Sequence, residues 1–262
     1  MGFFSNVLGR NSREHFLALD IGTEIVKALV FRIEGGSGIV EGVGWVRQKS
    51  GNMQSGAVSD IAGVIDSCRE AILLAEEQAS AKNVRKSIVG IAGELVKGTT
   101  TTVHYERVNP EVKISLSELR MIVEKVQEKA YERIHKQLAW ETNQSEIDVK
   151  LINAAVVDVR IDGYRVTNPL NFQGRDVSMS IFNAYAPMIH LGAIESIASA
   201  LHLDLINIAA EPYAVARSVE VEDMLDFSAI FIDIGGGTTD IAVVRNGGLE
   251  GTKMFALGGR AF

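Results

Sequence analysis

Two short segments far apart in the chain share one pattern, and together they restrict the fold more than any other feature. They are Leu19-Asp20-Ile21-Gly22-Thr23 and Ile232-Asp233-Ile234-Gly235-Gly236-Gly237-Thr238-Thr239-Asp240. In each, an apolar β-type run ends in aspartate, turns through glycine and threonine, and continues into a second β-type run. Glycine lets backbone N–H groups approach a phosphate, threonine hydroxyls donate further hydrogen bonds, and a few carboxylates suit a hydrated magnesium ion. Two such hairpins facing each other make a phosphate clamp, with Asp20 and Asp233 on opposite sides of a cleft. Neither segment is a Walker A loop or a dinucleotide fingerprint, because both of those lead from strand into helix. A tight turn also uses Asp and Gly for backbone geometry alone. Three glycines flanked by two aspartates and two threonines exceed what a turn needs.

The rest of the chain arranges itself around these hairpins. His15 to Arg47 reads as three antiparallel strands, and Ser59 to Lys82 as a helix burying Ile61, Val64, Ile65, Cys68, Ile72 and Ala75. A second unit, from about Ser87 to Asn183, opens with strands at Ser87 to Ala92 and Gly98 to His104. Its long helix starts at a capping box, Ser115 with Glu118, and buries Leu119, Ile122, Val126, Ala130, Ile134 and Leu138. Strands at Val149 to Ile161 and Val177 to Tyr185 complete a small α+β module suited to contact rather than catalysis. Then follow a helix bearing Ile194, Ile197, Ala198 and Leu201, a strand at Leu205 to Ile208, and a short helix from about Pro212 to Arg217. The last block, from Phe227, reads as a fully apolar strand from Ser228 to Ile234, the second glycine turn, and strands at Thr239 to Arg245 and Leu249 to Phe255.

Composition narrows the function. The chain has 262 residues, 47% of them apolar, enough for a sizeable core. A formal net charge of -7 opposes broad attraction to nucleic acid or anionic lipid. Cys68 is the single cysteine, so no internal disulfide forms and a reducing cytoplasm is expected. The stretch Met1 to Arg10 lacks the basic start and long apolar run of an export signal. No segment offers the ~20 continuous apolar residues of a membrane span, so any membrane contact is expected to be peripheral. His15, His104, His135, His190 and His202 show no metal-ligand spacing. Lys27, on a half-exposed strand, is read as solvated and outside the main site.

The order of Leu17-Ala18-Leu19-Asp20-Ile21-Gly22-Thr23, Glu211-Pro212-Tyr213-Ala214-Val215-Ala216, the second glycine loop and Leu257-Gly258-Gly259 resembles the actin, heat-shock chaperone and sugar kinase superfamily. Within it, the small insert, the Asn168-Pro169 to Gly174 turn and the Asp-Ile-Gly-Gly-Gly-Thr-Thr-Asp loop are most similar to the FtsA family of bacterial cell-division proteins. The PilM family of pilus-assembly proteins is the near neighbour. The resemblance implies an α/β, actin-like (ribonuclease H-like) first lobe over residues 1–86 and 184–226, an inserted α+β subdomain over 87–183, and the start of a second lobe over 227–262. It places ATP with Mg2+ between the lobes. Asp20 and Asp233 would serve the metal, while Gly22, Thr23, Gly235, Gly236, Gly237, Thr238, Gly258 and Gly259 would cradle phosphates. Glu211 matches the acidic residue that orients an attacking water, although beside Pro212 it also suits a helix-capping charge.

The same resemblance implies a filament-forming scaffold, cytoplasmic and peripheral at the inner face of the membrane, that links the division ring to that membrane. Expected partners are further copies of the chain, tubulin-like FtsZ and other division proteins, with no nucleic acid. A pilus-assembly scaffold is the alternative, and a small-molecule kinase a lesser one, because the insert lacks a polar cluster for a substrate hydroxyl. Relative to the family, the chain ends at Phe262 before the expected adenosine pocket and the FtsZ contact, so it is expected to be a fragment with weakened ATP binding and exposed strand edges.

Overall fold

The computed structural model describes residues 14–92, 96–143, 147–219 and 227–261. The Met1 to Arg10 stretch therefore lies outside the described residues. The first three strands, β1 (His15–Ile21), β2 (Ile25–Glu34) and β3 (Ser37–Arg47), form the expected antiparallel meander. A two-stranded hairpin, β4 (Met53–Gln54) and β5 (Ala57–Val58), leads into α1 (Ile61–Gln78). Asp60 caps α1, its carboxylate accepting the Ala62 N–H at 3.0 Å. The helix buries Val64, Cys68, Ala71, Ile72 and Ala75. Ile61, read as part of the buried stripe, is exposed in the first turn, ahead of the point where the helix meets the sheet.

Next come β6 (Lys86–Ile91), β7 (Lys97–Glu106), α2 (Leu116–Thr142), β8 (Val149–Ile161), β9 (Tyr164–Arg165) and β10 (Asp176–Pro187). The chain goes on through α3 (Met188–Ala200), β11 (Asp204–Ala210), α4 (Glu211–Ser218), β12 (Ala229–Ile234), β13 (Thr239–Arg245) and β14 (Gly248–Phe255). A single 3-10 turn, Gly259–Ala261, closes the described chain.

The strands divide into two large sheets. The first has the order β11-β6-β1-β2-β3, with β6 parallel to both β1 and β11. This corrects the placement of the strand at Ser87 to Ala92. It belongs to the centre of the first sheet, where Val89 and Ile91 are buried between two parallel neighbours, and not to the insert. The second sheet has the order β12-β13-β14-β7-β10-β8-β9, so the last three strands and the insert strands are continuous. The junction is short, Gly251 opposite Thr99 and Thr252 opposite Gly98. The boundary expected at Asn183 falls inside β10, whose residues from Phe182 to Pro187 are all buried and give the strand no place to stop.

Two contacts fix the sheets relative to the helices. Gly42 and Gly44 of β3 lie against α1 so closely that an added Cβ would run into the Ala75 and Ala71 carbonyls. Their strand neighbours Val30 and Ala28 are fully buried on the same face. We expect Gly44→Ala to cost about 2 kcal/mol through overpacking against helix backbone that has nowhere to go. Urea unfolding measures it, and an unchanged midpoint would show that the helix shifts freely. On the insert, α2 follows its predicted stripe, burying Ile122, Val126, Ala130, Ile134 and Leu138 against β7, β8 and β10. Only half of the predicted capping box forms. The Glu118 N–H donates to Ser115 Oγ at 3.2 Å, while the Glu118 carboxylate turns away to Arg107. Among the described residues no helix is long and apolar enough to cross a membrane.

Candidate functional site

The hairpin turns β1–β2 and β12–β13 meet at one cavity of about 850 Å³. The meeting is direct. A Cβ on Gly236 would lie 2.6 Å from Glu24 Cβ, and one on Gly237 would lie 2.8 Å from Thr23 Cγ2. Glycine is needed here for close approach, since neither residue has a positive φ. The second loop is closed by its own hydrogen bond, Gly235 N–H to the Thr238 carbonyl at 2.9 Å. It is buttressed from behind by the turn after β14, where the Gly259 and Arg260 N–H groups donate to the Gly235 and Gly236 carbonyls at 2.8 and 3.0 Å. A Cβ on Gly258 would sit 2.6 Å from the Gly235 carbonyl oxygen.

Of the residues singled out in the sequence, Asp20, Gly22, Thr23, Glu211, Asp233, Gly235, Gly236, Thr238 and Gly259 line the cavity. Gly237 and Gly258 stand just behind, packing the loops together. Glu211 opens α4, and its position is set by the insert. The Asn153 side chain of β8 accepts the Ala210 N–H at 2.8 Å and donates to the Ile208 carbonyl at 3.4 Å, so it finishes the open edge of β11 where the helix begins. Tyr213, two residues on, stacks on Phe182 of β10 with ring centroids 5.6 Å apart. Glu211 makes no side-chain cap for its helix. The residue is half-buried and lines the cavity instead.

The electrostatics of the cavity are acidic. Burial raises the Glu211 pKa well above the usual carboxylate range, and the neighbouring Asp20, Asp240 and Asp233 add to the effect. Asp240, opposite Asp233 in the β12–β13 register, is 4% exposed and is pushed up to about 6, first by burial and then by Asp233. Its Oδ1 is buried without a hydrogen-bond partner, and its Oδ2 accepts weakly from Thr238 Oγ1 at 3.4 Å. Lys27 is solvent-exposed, as read from its strand, but it does not lie outside the site. It lines the cavity and holds Asp20 Oδ2 at 3.0 Å, because its strand position is directly opposite Asp20 across the β1–β2 ladder. At the rim, Glu24 receives Arg47 from β3 at 2.7 Å and Arg260 from beyond the second sheet, a contact across the two hairpins.

Lys27 and Asp240 are the residues that motif reading left out. For Lys27 the available signal was register, since a hairpin turning at Gly22-Thr23 puts position 27 opposite position 20. Asp240 was visible in the motif, and only its burial shows that it belongs to the acidic cluster. Among the described residues no three acidic, His or Cys side chains converge closely enough to hold a metal without further ligands. A hydrated magnesium ion keeps several waters and needs few protein carboxylates. The acidic cluster, raised carboxyl groups and unpartnered Asp240 oxygen are what such a hydrated dication would satisfy.

A five-stranded sheet of this order, followed by a second hairpin of the same design facing it across a cleft, is the actin-like ATPase fold. In a solved PilM-PilN type IV pilus biogenesis complex, the matching chain aligns with 95% of this chain and 63% of its own length, at a TM-score of 0.59 and 15% identity. In sequence the chain is similar to the cell-division protein FtsA of Bacillus subtilis, 28% identical over 255 residues, which is 95% of this chain and 53% of that protein. It is also similar to FtsA of Pseudomonas aeruginosa, 26% identical over 253 residues, covering 95% of this chain and 55% of that protein. The chain thus spans about half the length of the curated relatives it matches. No family model matches the sequence.

Proposed function

We propose that this chain is the nucleotide-gripping portion of an FtsA-like actin homologue, binding ATP with magnesium between its two glycine hairpins and acting in bacterial cell division as a filament-forming scaffold at the inner membrane face. The observation that carries the reading is the cavity itself, lined by both hairpins, five carboxylate residues and Lys27. The similarity to FtsA proteins along 95% of the chain supports the division role. Pilus assembly draws on the PilM-PilN likeness, but at 15% identity that likeness speaks only for the fold.

In this reading the chain divides into a first lobe built on the β1 sheet, an insert from β7 to β10, and a second lobe opening at β12. Of the two loops, Gly22, Thr23 and Gly236 would offer backbone N–H groups to the phosphates, while Gly235, Gly237 and Thr238 shape the second loop. Gly258 and Gly259 hold the second loop in place. Asp20 and Asp233 would hold the ion, with Asp240 and Glu211 adding to the acidic lining of the same cavity. Magnesium, when bound, supplies the positive charge that offsets phosphates and carboxylates together. Glu211 is the group that orients or deprotonates a water. Burial and the neighbouring aspartates raise its pKa and favour the protonated form, and the nearby Lys27 pulls it back toward ionisation. Partner binding, to further copies or to the tubulin-like division protein FtsZ, falls to the outer surfaces of the chain.

Calorimetric titration of ATP with and without magnesium tests the site. The natural protein is expected to bind only with magnesium, and Asp233→Ala is expected to lose at least about 2 kcal/mol, or roughly 30-fold in affinity. Binding that is indifferent to both changes would sink the reading. Nucleotide-dependent sedimentation of the protein then checks filament formation.

A further inference from the structure

Glu211 stands at the start of a helix that does little to hold itself. Of the eight residues of α4 only Pro212 is buried, and Ala210, which caps it, has no side chain to bond the first turn. The Glu211 side chain nonetheless has a defined course. A Cβ on Gly90 would lie 3.4 Å from both its Cγ and its Oε1, and Gly90 stands between Asp20 of β1 and Ala209 of β11 in the parallel ladders. The side chain therefore runs back over Gly90, the strand neighbour of Asp20.

What fixes that course comes from the insert. Along β8 the pairing with β10 passes from Asn153 opposite Ala184 to Leu151 opposite Tyr185, a bulge at Ile152 that breaks the alternation of side chains and re-aims the residue beside it. The Asn153 amide reaches out of its own sheet to β11 in the other. There its Oδ1 accepts the Ala210 N–H at 2.8 Å, and its Nδ2 donates a weaker bond to the Ile208 carbonyl at 3.4 Å. Asn153 is 8% exposed, so water is no ready substitute for either bond. Ala210 immediately precedes Glu211, so the amide holds the backbone from which the carboxyl hangs. Tyr213 lies flat on Phe182 of β10, the two rings 3° from parallel, which fixes the rotation of the same first turn.

We infer that Asn153 is a positioning residue for ATP hydrolysis. By tying β8 of the insert to the residue before Glu211 it aims the Glu211 carboxylate at the attacking water, so the insert sets the rate of the chemical step and not the affinity for nucleotide. In that step the water oxygen bonds to the terminal phosphorus of ATP, and the bond from that phosphorus to the bridging oxygen breaks with its electron pair staying on ADP. Glu211 takes a proton from the water and passes it on to solvent. The inference rests on the role proposed above for Glu211 and adds a residue outside every motif of the site.

The test is steady-state ATP hydrolysis with magnesium, read as phosphate release, by the natural chain, Asn153→Leu, Asn153→Asp, Glu211→Gln and the double variant Asn153→Leu with Glu211→Gln. Leucine has nearly the shape of asparagine and makes neither bond, whereas aspartate keeps the acceptor for the Ala210 N–H. Met179→Ala, a cavity in the separate core of the insert, controls for lost stability. In Asn153→Leu, kcat is expected to fall roughly 10-fold or more with KM within about twofold, because misplacing a reacting group by about 1 Å can cost on the order of 100-fold. Asn153→Asp should recover most of the rate, and Asn153→Leu should cost nothing further once Glu211→Gln is present. Asn153→Ala carries the test if leucine is not accommodated. A loss of kcat no greater than that of Met179→Ala, a rise in KM with kcat unchanged, or additive losses in the double variant overturn the inference. A natural chain that binds ATP in the calorimeter but does not hydrolyse it, or hydrolyses it equally well with Glu211→Gln, overturns the role of Glu211 and this inference with it, while nucleotide binding stands. A natural chain that binds no ATP overturns the nucleotide reading itself.

Discussion

Replacing Arg107 with methionine is expected to cost about 3 kcal/mol and to loosen the outer end of the insert while the first sheet stays folded. The Arg107 side chain is 2% exposed, and its guanidinium is fully engaged. Nε and Nη2 donate to the two Glu118 oxygens at 2.8 and 3.0 Å, a fork-to-fork pair that fixes the start of α2 to the end of β7. The remaining N–H groups reach the Val112 carbonyl at 2.8 Å and the Gly174 carbonyl at 2.9 Å, tying down both loops of the tip. Methionine fills much of the volume but leaves Glu118 and these carbonyls without donors, and the cost of breaking a buried pair is dominated by the partner left behind. Urea unfolding gives the total, and hydrogen exchange locates it. Protection should fall in α2 and β7 and persist in β1 and β6. A double variant that also carries Glu118→Gln should recover part of the loss. Strict additivity of the two single changes would mean that the pair is not the cause.

That contact also shows where sequence and structure part. The glycine hairpins, the meander, the Ser115 cap and the buried stripe of α2 follow from local periodicity and turn chemistry, and each needs only neighbouring residues to be seen. Glu118 was legible as a helix-start residue because Ser115 is three positions away. Its true partner lies eleven positions back, at a strand end with no motif of its own. The strand at β6 was legible as a strand, but an apolar β run does not say which sheet will accept it. Parallel pairing to β1 and β11 decides that. The β12 run looked like a buried core strand, yet Ile230, Ile232 and Ile234 are exposed at the edge of the second sheet, since apolar character reports what a strand can bury and not what covers it. In the site, Asp20, Glu211 and Asp233 were found by motif. Lys27 and Asp240 were not, because their meaning comes from register and burial.

The acidic cluster leads to the second large effect. Asp240→Asn is expected to raise the stability of the ligand-free protein at pH 7.5 by about 1–3 kcal/mol. The sign follows from the shift. The carboxyl ionises near 3.8 when unfolded and near 6 in the folded cavity, so the folded state holds its proton more tightly. Above about pH 6 both states are ionised, and folding carries the whole penalty of burying a charge beside Asp233. As pH falls through 6 toward 3.8 the folded carboxyl takes up its proton and the penalty fades. A shift from 3.8 to about 6 bounds the effect at about 3 kcal/mol, and whatever hydrogen bonding asparagine fails to make reduces it. The advantage of Asp240→Asn should therefore be large in urea melts at pH 7.5 and absent near pH 4. Magnesium should stabilise the natural protein more than the variant, because the charge that burdens the empty site is the charge that a dication would use. A variant that is less stable at pH 7.5, or equally improved at both pH values, would show that Asp240 sits there for packing and not at the expense of stability. A cluster that weakens the empty fold would make the stability of the protein depend on the occupancy of the cleft.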